Sequence, residues 1–153
     1  MEVILVIIAA AIAWYLYKKL SPNTMTIQFK VYASRAEAMK DGHPLSSGGR
    51  FDQEVVGESH YQSIIAKIVA SMPAGHNYVQ STLEMESNNP HDSNAVAVKI
   101  AGQLVGYLPK AAAKEYRKLA KSEGIPAIAH CPATIRGSAD TAYGIWLGLP
   151  ELE

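Results

Sequence analysis

The chain has 153 residues, 48% of them hydrophobic, with 14 Lys+Arg balancing 14 Asp+Glu and one cysteine. That length suits about one domain, and the zero net charge excludes a protein held on nucleic acid by bulk electrostatic attraction. A single cysteine excludes an intramolecular disulfide framework and cysteine-rich zinc modules, and it fits a reducing compartment.

Residues 3–17 (VILVIIAAAIAWYLY) contain no charge, Gly or Pro. A bilayer core takes about 17–25 apolar residues, and Met1 with the flank Lys19–Leu20 brings the run to the lower edge of that range. Trp14, Tyr15 and Tyr17 cluster at the charged end, where an aromatic belt meets headgroups, and Lys18 and Lys19 can snorkel outward. A cleaved signal peptide is the first rival, because residues 9–13 read A-x-A twice, but Glu2 stands where a basic region belongs. A buried core helix is the second rival. The expectation is a transmembrane anchor over residues 1–20. The positive-inside rule then gives a single-pass protein of the inner membrane with its C-terminal domain in the cytoplasm.

Pro22 stops that helix. Residues 26–32 (TIQFKVY) alternate Ile27, Phe29 and Val31 against polar partners, which predicts a strand. Ser34-Arg35-Ala36-Glu37 is a capping box opening a short helix to about Lys40. Residues 41–50 (DGHPLSSGGR) are turn and linker chemistry. The first 50 residues hold six basic and three acidic side chains, the remainder eight and eleven.

A domain is expected over 51–153. Residues 53–57 read as a short strand, and 61–71 as a helix with Ile64, Ile65, Ile68 and Val69 on one face. Residues 78–86 alternate as a half-buried strand, and 88–94 (NNPHDSN) form a concentrated turn. Strands 95–100 and 104–108 are joined around Ala101-Gly102 as a hairpin. Pro109 opens a helix to about Ser122, with Gly124 where a C-cap belongs. The last strands are 127–135 and 142–149, separated by a turn over 137–141, and Pro132 marks an edge or a bulge. Short strands with a few helices predict a mainly β fold, a small barrel or curled sheet rather than βαβ units.

Three segments concentrate unusual residues: VVGESHYQ at 55–62, NNPHDSNAVAV at 88–98 and VGYLPK at 105–110. The middle one is first a structural turn, since Asn and Asp side chains bond their own backbone and Pro90 fixes φ. The same loop can also expose carboxamides, an imidazole and a carboxylate to ribose hydroxyls or base edges. In the helix after Pro109, Lys114, Arg117, Lys118 and Lys121 share one face. That face is either a solvated surface or a stripe tracking a nucleic-acid backbone or anionic lipid headgroups. Enzyme chemistry lacks a constellation. The histidines His43, His60, His76, His91 and His130 show no metal-ligand spacing, and G-x-S-x-G, Walker A and G-x-G-x-x-G motifs are missing. No cofactor or metal is expected. Cys131 lies in an apolar run as an inert core thiol, and Trp146 is expected in the core.

The order VGESHYQ, NNPHDSNAVAV and GQLVGYLPK, followed by an Ala-rich helix, resembles a HIRAN domain of the compact bacterial kind over about residues 50–150. The resemblance implies an OB-like or SH3-like β-barrel. It also implies a binding module for single-stranded DNA, because the helicase-linked members hold a 3′-hydroxyl end. Tyr61, Asn89, Asp92 and Lys110 fall on positions that resemble those members' DNA contacts. Tyr61 would stack a base, Asp92 would accept from the terminal hydroxyl, and Lys110 would meet a phosphate. Ser59-His60 replaces an Arg-Tyr pair and His91 replaces a Tyr, so imidazoles stand where larger rings are usual. Tyr107, Lys114 and Arg117 complete the candidate set. A protein-interaction module at the membrane, without a nucleic-acid ligand, is the alternative from another class.

Overall fold

The computed structural model describes residues 29–40, 50–150 and 152. The expected membrane helix and the 41–49 linker lie outside the described residues. Among the described residues no helix is long and apolar enough to cross a membrane.

The elements in chain order are β1 (Val31–Tyr32), α1 (Arg35–Lys40), β2 (Gln53–Glu54), a 3₁₀ turn (Glu58–His60) and α2 (Gln62–Ala70). Then come β3 (Tyr78–Met85), β4 (Val96–Ile100), β5 (Gln103–Tyr107), α3 (Lys110–Glu123), β6 (Ile128–Ser138) and β7 (Ala142–Leu147). All strand pairs are antiparallel, along the path β2-β7-β6-β3-β4-β5, with β1 pairing β3 off that path. The fold is mainly β, as expected, and the sheet curls until its ends meet. Val56, just after β2, exchanges both backbone hydrogen bonds with Tyr107 at the end of β5, each 2.9 Å. Gly106 makes this seam possible. A Cβ there would lie 2.5 Å from Val55 Cγ1 and 2.7 Å from the Val56 carbonyl oxygen, closer than packed atoms tolerate.

Inside the curl, β3 buries Val79, Ser81 and Leu83 at the period of two read from its sequence, and α2 contributes Ile65 and Ile68. Buried Ser81 keeps its hydroxyl bonded by donating to the Cys131 carbonyl at 2.7 Å. Helix α3 covers one side with Ala113, Tyr116 and Ala120, and Gly124 caps it.

A second cluster, of Tyr32, Ala38 and Phe51 with Tyr78 and Trp146, lies apart from this core. Trp146 therefore departs from the core expectation. It is half-buried, with the Arg136 guanidinium 4.6 Å above its ring. β1 and α1, expected ahead of the domain, are built onto its sheet through Val31↔Val79 and Tyr32↔Tyr78. The capping box forms, with Ser34 Oγ accepting from the Glu37 N–H at 3.2 Å and Glu37 Oε2 from the Ala33 N–H at 2.8 Å.

Pro132 corrects another expectation. It sits in a strand interior to the sheet, opposite Gln80. The Gln80 N–H bonds the Lys30 carbonyl instead, and the Pro132 carbonyl accepts from the Gly148 N–H, one residue beyond β7. The missing proline N–H thus falls at the end of the β6–β7 ladder, where the Gly148 carbonyl is met instead by the Cys131 thiol, with Sγ 3.7 Å away. β6 also runs three residues past its expected end, pairing Arg136, Gly137 and Ser138 with β7.

Candidate functional site

A groove of about 530 Å³ opens over the seam, lined by Val56, His60, Tyr61, Asn89, His91, Asp92, Ala95, Tyr107, Leu108 and Lys110. Seven of the nine candidate residues line it: Tyr61, His60, Asn89, His91, Asp92, Tyr107 and Lys110. Lys114 is exposed one turn along α3, and Arg117 does not line the groove but bonds the Asn94 and Ala95 carbonyls. The sequence reading missed Val56, Ala95 and Leu108, apolar residues with no chemical signature. Val56 stands out only afterwards, as an apolar side chain 42% exposed.

The first wall is the 3₁₀ turn and the start of α2. Gly57, at φ 82°, turns the chain out of the seam in a conformation that favours glycine. Glu58 then accepts from the Ile145 N–H through Oε1. Gln62 donates to the carbonyls of Tyr143 (2.9 Å) and Glu58 (3.1 Å) and accepts from the Tyr143 N–H at 2.8 Å. Glu58 and Gln62 of VGESHYQ are therefore fasteners onto β7. Burial raises the Glu58 carboxyl above its ordinary 4.5, the Ile145 N–H opposes this, and the Glu54 charge adds to it. The rings remain for the groove. Tyr61 is half-buried and His60 exposed, edge to face with centroids 6.4 Å apart.

The second wall is the NNPHDSN loop. Asn89 Nδ2 donates to Glu86 Oε2 at 2.8 Å, while Oδ1 accepts from the His91 and Asp92 N–H groups at 2.9 and 3.2 Å. Asn89 is thus a turn brace with both ends of its carboxamide engaged. Asp92 Oδ1 accepts from the Asn94 N–H at 2.8 Å, and no hydrogen bond among the described residues engages its Oδ2. Arg117 holds this loop from behind. Its Nε donates to the Asn94 carbonyl (2.9 Å) and Nη2 to the Ala95 carbonyl (3.1 Å). Arg117, expected as a ligand contact, clamps the loop, because a planar fork fits two successive carbonyls.

Tyr107 and Leu108 line the groove from β5 and the residue after it. The Tyr107 phenol is raised by burial and, less strongly, by Glu86 and Tyr61, so it keeps its proton at neutral pH. Lys110 opens α3 at the groove edge, exposed, although a cation in the first turn opposes the helix dipole. The lining therefore offers aromatic and imidazole faces, one cation and one half-engaged carboxylate. Among the described residues no three His, Cys, Asp or Glu side chains gather as a metal site. Cys131 is buried within β6, where burial pushes its thiol up to about 12.

The crystal structure of the HIRAN domain of human HLTF is similar at 20% identity, over 65% of this chain and 74% of that one, with a TM-score of 0.39. No curated protein matches the chain. The HIRAN domain family model matches residues 48–142, a span that contains both walls of the groove and its seam. More than half of the chain lies within that match, and the chain belongs to the HIRAN domain family.

Proposed function

We propose that this HIRAN domain is a non-catalytic module whose groove holds single-stranded nucleic acid, with a 3′-hydroxyl DNA end as the preferred ligand. One observation carries the reading: a single groove gathers Tyr61, Tyr107, His60 and His91 with Lys110 and the half-engaged Asp92. Tyr61 stacks a base, a sequence-tolerant contact of about 1–3 kcal/mol. Lys110 meets a phosphate as a point charge, and Asp92 Oδ2 accepts from the terminal hydroxyl. Two imidazoles offer less stacking area than larger rings. Affinity is accordingly modest, micromolar to tens of micromolar, or about −7 kcal/mol.

Fluorescence anisotropy of the full chain with 3′-hydroxyl and 3′-phosphate oligonucleotides tests this. Tyr61→Ala should weaken binding about 5- to 150-fold for any base sequence, and a 3′-phosphate should repel Asp92 and weaken it further. Equal binding of both ends would remove end recognition and leave general nucleic-acid binding. No binding at low salt would sink the nucleic-acid reading and favour a protein ligand.

The apolar run at 3–17, followed by Lys18 and Lys19, supports a second part of the proposal. Residues 1–20 tether the domain to the inner membrane on its cytoplasmic side. A reporter enzyme active only outside the cytoplasm, fused after Glu153, should stay silent. Strong activity would reverse the orientation.

A further inference from the structure

We propose that a bound strand leaves the groove along α3, with its phosphates passing over Lys114 and Lys121. This rests on the groove reading above and adds the path and polarity of the exit surface. Lys110 belongs to both features, since it lines the groove and is the first residue of α3. At about 100° per residue, Lys114 and Lys121 return to within about 40° of Lys110 around the helix. Glu115 and Glu123 fall about 140° away on either side, so the helix sorts its charges by face. The inward arc belongs to Ala113, Tyr116 and Ala120, which are buried.

The structure thins the four-cation stripe of the sequence to two. Arg117 is committed to the Asn94 and Ala95 carbonyls. Lys118 is ion-paired with Glu115 at 2.8 Å. Lys114 and Lys121 are exposed, and no ion pair among the described residues engages either. From Lys110 to Lys121 the helix rises about 17 Å, the length of about five nucleotides at a stacked spacing of ~3.4 Å. A flexible polyanion that starts in the groove fits this line of charge, which is continuous with the groove at Lys110.

The experiment varies strand length. The full chain is titrated with a trinucleotide and with an oligothymidine of about twelve nucleotides, at two or more salt concentrations. Lys114→Gln and Lys121→Gln should each weaken the long strand about threefold at low salt and reduce its salt slope by about 0.7. Both variants should bind the trinucleotide as the parent protein does, whereas Lys110→Gln should weaken both ligands. Long-strand binding that is unchanged in affinity and salt slope in both variants overturns the exit path and leaves the groove reading standing. If those variants lose binding only to phosphatidylserine vesicles, the stripe is a lipid surface and the proposal is likewise overturned. Failure of the parent protein to bind either oligonucleotide would remove the groove reading, and this proposal with it.

Discussion

The two walls of the groove are held by opposite means. The 57–62 wall is fastened across the sequence, with Glu58 and Gln62 bonded to β7 more than eighty residues away. The 88–95 wall braces itself through neighbours, Asn89 to residues 86, 91 and 92 and Asp92 to Asn94. Among the described residues, its side-chain hydrogen bonds to another element come from Arg117. The difference teaches how to read polar residues in a binding motif. Where fastening is long-range, the polar side chains are consumed by it and the rings beside them are left to meet a ligand. Where fastening is local, a side chain such as Asp92 braces with one oxygen and keeps the other for the groove.

The largest effect should come from removing the tie of the self-braced wall. Arg117→Ala deletes two charge-assisted bonds and should cost about 2 kcal/mol in a urea melt. It should also weaken oligonucleotide binding about tenfold, because His91 and Asp92 lose their fixed position. Arg117→Lys should not restore binding, since a point charge cannot span two carbonyls. Gln62→Ala on the opposite wall should cost about 1 kcal/mol with little change in binding, because Glu58 still holds Tyr61 in place. Equal losses of binding in the two variants would break the contrast between the walls.

A smaller effect sharpens it. The Glu58 carboxyl is raised in the folded protein, chiefly by burial, so folding favours its protonated form. That contribution is fully present below the ordinary value of 4.5 and is lost as pH rises through the raised folded value. Urea melts across that interval should show stability falling with pH in the parent protein and a flatter profile in Glu58→Gln. The same slope in both proteins would show that Glu58 titrates as it does in the unfolded chain.

Much of the fold was legible because it is written in short-range pattern. The 96–107 hairpin turns on Ala101 and Gly102, both at positive φ, and the β3 alternation and the α3 caps follow the same local logic. The family resemblance singles out the loop, the rings and Lys110 that line the groove. The errors share a cause. Pro132 is tolerated inside the sheet because it falls where the β6–β7 ladder ends, which depends on where β7 stops. The loop-clamping bonds of Arg117 are not legible because its partners, the Ala95 and Asn94 carbonyls, lie 22 and 23 residues earlier. Trp146 was misread because hydrophobicity does not say which of two clusters a side chain joins. Val56, Ala95 and Leu108 were missed because an apolar lining residue looks the same in sequence as a core residue.

The seam between Val56 and Tyr107 has a dynamic consequence. The β3–β6 and β6–β7 joins are ladders of many pairs, while the seam is a single pair of residues sharing two bonds. Local opening requires the least free energy where the fewest bonds must break together, so breathing of the curled sheet concentrates at this join. The groove lies on it. Opening at the seam would widen the groove, and a ligand touching both Tyr61 and Tyr107 would hold its two sides together and slow amide exchange there.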